Sequence, residues 1–136
     1  KQHPMHIPPN LRYTAHHLWL RPVGRNDIYV GITDYAQKEL GRIDSFDIHG
    51  EGTKKMKNES FGKIYGTNKV FDLIAPLAGK ILMLNADIEK SPLTLNSDPY
   101  QHWIALMSID NKHLQGVKIL SAEEYKNMIS ASKIKL

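Results

Sequence analysis

The chain has 136 residues, 24% of them charged, a formal net charge of +4 and no cysteine. At this length one domain with a sizeable core is expected, and the missing cysteines exclude thiol catalysis, cysteine metal sites and a disulfide framework. The positive charge comes from scattered lysines with only four arginines, a pattern that does not favour nucleic acid as a partner. Apolar runs such as 81–84 are too short to cross a bilayer, and no secretory signal opens the chain, so no membrane association is expected. The default setting is cytoplasmic, or the mitochondrial matrix in a eukaryote.

Residues 1–12, with prolines at 4, 8 and 9, predict an extended N-terminal arm, packed on or trailing from the single folded domain at 13–136. Strand-like runs at 18–21 and 28–32, separated by Pro22, Gly24, Asn26 and Asp27, predict a hairpin. Thr33 and Asp34 supply an N-cap and a first-turn acid for a two-turn helix that stops at Gly41. A strand follows at 43–48, then a solvated loop over 50–60. Residues 63–76 predict a second hairpin, in which Gly66, Thr67, Asn68 and Lys69 carry the turn chemistry between β-branched flanks. Strands are predicted at 80–84 and 103–109, with an irregular connection between them over 85–96. Ser121 and Glu124 form a capping box that opens a helix over 121–129. Many short strands and two short helices make a mainly β domain.

Enzyme signatures are missing. Histidines at 3, 6, 16 and 17 invite a metal, yet adjacent His16 and His17 on a strand would face opposite ways and His3 and His6 lie in the arm. No nucleophile elbow or glycine-rich phosphate loop is present. Tyr100 and Trp103 read more readily as core or rim packing than as an aromatic binding surface. Periodicity and spacing alone therefore give a mainly β domain with an exposed hairpin and no reaction.

Several stretches, in order, resemble the glycine cleavage system H protein family, whose lipoyl arm shuttles an aminomethyl group between partner enzymes. They are Ile7-Pro-Pro-Asn-Leu-Arg-Tyr-Thr14, His17 with Trp19, Val30-Gly-Ile-Thr-Asp-Tyr-Ala-Gln37 with Leu40-Gly41, Phe61-Gly62, Asp72-Leu73, Pro76, Gly79, Ser91-Pro92, Leu95-Asn-Ser-Asp-Pro-Tyr100, Trp103 and Ser121-Ala-Glu-Glu-Tyr125. The resemblance implies a lipoyl/biotinyl carrier-type flattened β barrel-sandwich, a carrier lysine at a hairpin tip, and a cleft that includes Asp72 and His17. It implies a non-catalytic protein whose partners are the glycine decarboxylase, aminomethyltransferase and dihydrolipoyl dehydrogenase components.

Three positions depart from that family's pattern. Counted from either flank, the family's lipoyl lysine falls on Asn68. Its acid three residues earlier is Tyr65, and its acid between the opening His and Trp, expected in the cleft that shelters the loaded arm, is Leu18. An amide bond to lipoate needs a lysine ε-amine, for which the Asn carboxamide is no substitute. Two readings follow: an H-like protein that carries no lipoate and acts by protein–protein interaction, or a carrier modified on Lys69 with the hairpin register slipped by one.

Overall fold

The computed structural model describes residues 5–109 and 119–134. In chain order the strands are β1 (Arg12–Tyr13), β2 (Leu18–Val23), β3 (Asp27–Ile32), β4 (Ile43–Ile48), β5 (Lys54–Lys55), β6 (Ser60–Gly66), β7 (Val70–Ile74), β8 (Gly79–Leu84) and β9 (Ala105–Ile109). The helices are α1 (Asp34–Leu40), α2 (Asp87–Lys90), α3 (Thr94–Ser97) and α4 (Ala122–Ile134). The strands build a six-stranded sheet in the order β1-β2-β3-β9-β8-β5 and a three-stranded sheet in the order β4-β6-β7, with every pair antiparallel. The fold is thus mainly β, as the turn-punctuated sequence predicts, but among the described residues the sheets stay separate and do not close into a barrel.

The strand β2 divides two cores because its side chains alternate. Leu18 and Leu20 join Val30, Ile64, Leu73 and Ile81 in the larger core, while Trp19 faces the other way into a cluster with Tyr13, Tyr100, Tyr125 and Ile129. There the Tyr13 and Tyr125 rings stack at 4.8 Å and 6°, an arrangement worth about 0.5–1.5 kcal/mol beyond its burial. The helix α4 delivers Tyr125 and Ile129 to this cluster. Its predicted capping box is present: Glu124 N–H donates to Ser121 Oγ (3.1 Å) and Ser121 N–H donates to Glu124 Oε1 (2.8 Å). The helix runs to Ile134, beyond the predicted end at 129.

Local differences from the sequence reading have simple causes. The predicted loop over 50–60 contains β5, whose two residues pair Lys54↔Lys80 and Lys55↔Gly79, too short a run to show any alternation. The predicted irregular connection holds the one-turn helices α2 and α3, each anchored by one buried side chain, Ile88 and Leu95. Neither has a side-chain N-cap bond, so the sequence carries no start signal for them. Residues 5–11 of the expected arm are packed down: Tyr100 Oη donates to His6 C=O (2.6 Å), Tyr13 Oη donates to Pro8 C=O (2.5 Å) and Leu11 is buried. His3 lies outside the described residues. Among the described residues no helix is long and apolar enough to cross a membrane.

Candidate functional site

The hairpin β6–β7 is held in one register by Gly62↔Leu73, Lys63↔Asp72, Ile64↔Phe71 and Tyr65↔Val70, and Gly66 N–H closes the turn onto Lys69 C=O at 3.0 Å. Its tip is not free. Asn68 N–H donates to Leu40 C=O and Thr67 N–H to Arg42 C=O, both at 2.9 Å, while Arg42 N–H donates to Thr67 Oγ1 at 3.1 Å. The tip thereby satisfies the Leu40 carbonyl, which the end of α1 leaves open, and that of Arg42 beyond it. Gly41 makes this possible: its φ is +74°, and a Cβ there would lie 2.5 Å from Thr67 Oγ1 and 2.7 Å from Asn68 Nδ2. From the opposite side, Asn96 of α3 donates to Gly41 C=O (2.8 Å) and accepts from Ile43 N–H (2.9 Å). Asn68 itself is exposed, and Lys69 Nζ turns back to Glu39 Oε1 of α1 at 3.1 Å with both side chains about half exposed.

A cleft of about 480 Å³ opens at β7, the edge of the smaller sheet, lined by Ala15, His16, His17, Phe71, Asp72 and Ile74. It brings together His17, from the turn between β1 and β2, and Asp72, from β7, two residues that meet only through the fold. The sequence expectation that His16 and His17 lie on a strand is wrong. They sit in a tight turn closed by His17 N–H to Thr14 C=O (3.1 Å), and His17 has φ = +66°, a left-handed conformation that His adopts more readily than most residues. His17 Nδ1 lies 2.8 Å from Tyr125 Oη, which in turn lies 2.7 Å from Thr33 Oγ1, and the imidazole packs 4.6 Å from the Tyr35 ring. Burial pulls the His17 pKa down to about 4; Glu39 pulls the other way, while His16 and Lys69 add to the depression. The ring is therefore neutral at pH 7. Burial likewise pushes the Tyr125 hydroxyl up, so it stays a protonated partner in this chain of contacts. Asp72 is already engaged: its Oδ1 lies 3.2 Å from Lys63 Nζ and accepts from Ser60 Oγ at 3.1 Å. Among the described residues no group of three or more His, Asp or Glu is placed to hold a metal ion.

The family model described as glycine cleavage H-protein matches residues 11–132. The glycine cleavage system H protein of Mycobacterium bovis is 36% identical over 130 residues, covering 91% of this chain and 97% of that protein. That of Mycobacterium avium is 38% identical over 128 residues, with the same coverage. The crystal structure of a glycine cleavage system H protein from Mycobacterium marinum superposes with a TM-score of 0.79 at 30% identity, covering 91% of this chain and 99% of that one. The chain belongs to the glycine cleavage H-protein family. Proteins of this family are lipoyl carriers rather than catalysts, and the chain is accordingly not an enzyme.

The three residues read from the sequence as departures, Asn68, Tyr65 and Leu18, occupy different environments. Asn68 is the exposed tip residue, and Tyr65 is half buried on β6 opposite Val70. Leu18 is 1% exposed in the larger core and is not part of the cleft wall. A carboxylate there would be buried, which is costly without a partner. Tyr125, Tyr35 and Glu39 surround His17, a role that no sequence signal assigns to them. Tyr125 follows the capping box that opens α4, but its contact with His17 spans 108 positions, a separation that no local pattern reports.

Proposed function

We propose that this chain is an H-protein-like member of the family that carries no lipoyl group and acts by binding other proteins. The observation that carries the reading is the hairpin register. Four consecutive pairings and the Gly66 N–H bond to Lys69 C=O put Thr67 and Asn68 at the tip, with Asn68 N–H held to Leu40 C=O, and moving Lys69 into the place of Asn68 would break the ladder on both sides. The residue at the tip does not fit the cofactor, because the Asn carboxamide nitrogen is conjugated with its carbonyl and is no counterpart of a lysine ε-amine. The cleft supports the same reading. Asp72, the one carboxylate among the residues lining the cleft, is balanced by Lys63, so a cationic group in the cleft would meet little uncompensated negative charge.

One observation favours the alternative, a working carrier with lipoate on Lys69: the Lys69 side chain is about half exposed and lies one residue from the tip. The ion pair with Glu39 would not by itself prevent modification, since exposed pairs are worth at most about 1 kcal/mol. The carrier reading takes glycine decarboxylase, aminomethyltransferase and dihydrolipoyl dehydrogenase as partners; the non-lipoylated reading takes a protein partner, with those components the first to test, and in both the setting is the cytoplasm, or the mitochondrial matrix in a eukaryote. The test is lipoylation of the Asn68→Lys variant beside the unaltered chain. The unaltered chain is expected to stay unmodified and the variant to be modified partially at best, because Tyr65 replaces the acid that precedes the family's lysine. Modification of the unaltered chain at Lys69 would overturn the reading; full modification of the single variant would overturn the role given to Tyr65.

A further inference from the structure

Far along the six-stranded sheet from β1, at its β5 edge, three lysines gather around a pocket of about 300 Å³ whose walls include Lys54, Lys55, Lys80, Met56 and Ile109. Lys54 and Lys80 stand directly opposite each other across β5 and β8, a like-charge pairing that destabilises a sheet. Among the described residues none of the three lysines forms an ion pair. A lysine on an edge strand can guard the edge against pairing with another chain. That role does not require a second lysine opposite it on β8, which lies inside the sheet.

The register carries the pattern across the same outer face. One row runs Lys54, Lys80, Ser108 and Asp27 through β5, β8, β9 and β3. The neighbouring row runs Met83, Leu106, Tyr29 and Arg21 through β8, β9, β3 and β2. Met83 is 48% exposed, Leu106 and Tyr29 are half buried, and Trp103 packs 5.0 Å from Tyr29. A strip of apolar and aromatic side chains therefore borders a row whose β5 end is positive. Interface centres are typically rich in aromatic residues and Met, with charge at the rim.

We infer that this face docks an acidic segment of a partner protein, with carboxylates neutralising Lys54 and Lys80 and apolar side chains lying on Leu106 and Met83. Charge complementarity selects the occupant: an anion arriving between Lys54 and Lys80 lowers their mutual repulsion and is attracted by both. The inference rests on the reading that the chain works by binding protein, and it gives that partner a chemistry.

The test is a heteronuclear NMR titration of the full chain with a synthetic peptide alternating Glu with Leu and Phe. A Glu-only peptide, a Lys-containing peptide of the same apolar pattern, and inorganic phosphate serve as comparisons. The expected result is a set of amide shifts confined to β5, β8 and β9, with affinity falling about tenfold in the Lys54→Glu/Lys80→Glu variant and less in Met83→Ser. Both variants alter exposed side chains, and their circular dichroism should match that of the unaltered chain. No shifts with the acidic peptide would overturn the inference. So would equal binding of the Glu-only peptide or phosphate, which would make the pocket a small-anion site, and so would unchanged affinity in the lysine variant. A lipoyl adduct on Lys69 would instead contradict the proposed function while leaving these shifts in place, so the two failures are distinguishable.

Discussion

Replacing His17 by Asn removes a titrating ring while keeping a residue that tolerates positive φ, the conformation required at this turn. In the folded chain burial holds the His17 pKa near 4, against 6.5 for an ordinary histidine. Between those values the unfolded chain binds the proton and the folded chain does not, so stability is full above about pH 6.5 and declines as the pH falls toward 4. The shift would correspond to roughly 3 kcal/mol for a fully sheltered ring, and to about 1–2 kcal/mol once solvent access to this partly exposed one is allowed for. The assay is urea unfolding followed by circular dichroism at about pH 7 and about pH 4.5. The unaltered chain is expected to lose about 1–2 kcal/mol more across that interval than His17→Asn does. Equal losses in the two proteins would refute the claim that the fold holds this ring neutral.

Tyr125→Phe keeps the stack on Tyr13 but leaves His17 Nδ1 without its hydroxyl partner at 2.8 Å and takes one partner from Thr33. A loss of about 1–3 kcal/mol is expected in the same unfolding assay. Gly31→Ala drives a methyl into the indole of Trp19, which is fully buried and bonded through Nε1 to Pro99 C=O. Overpacking there should cost about 1–3 kcal/mol and alter the near-ultraviolet circular dichroism of the Trp19 band. Glu39→Gln breaks a half-exposed ion pair with Lys69 and should change stability by less than about 1 kcal/mol. It should nonetheless move the His17 pKa further down, because Glu39 is the group that opposes burial there; an NMR titration of the imidazole reads this directly.

What the sequence discloses is local. The α1 cap at Thr33, its stop at Gly41, the Ser121–Glu124 capping box and the hairpin turn at 66–69 all depend on residues within a few positions of each other, and all are found in place. The two-residue strand β5 and the one-turn helices α2 and α3 carry no periodicity to read, since each is too short to repeat its pattern. The site divides in the same way. Asn68 is identified by counting along the hairpin, but its docking onto Leu40 and the turn that holds His17 against Tyr125 arise from contacts 28 and 108 positions apart. Leu18 shows the limit most clearly: a position expected to face the cleft belongs to the core, because β2 alternates and its neighbour Trp19 takes the other face.

Asn68 at the hairpin tip is proposed to leave this H-protein-like chain without a lipoyl group. This is tested most directly by the intact mass of the protein made in a host with active lipoylation and supplied with lipoate, together with peptide mapping of residues 63–79. The mass of the unmodified chain is expected, with Lys69 unaltered; a lipoyl adduct on Lys69 would contradict it.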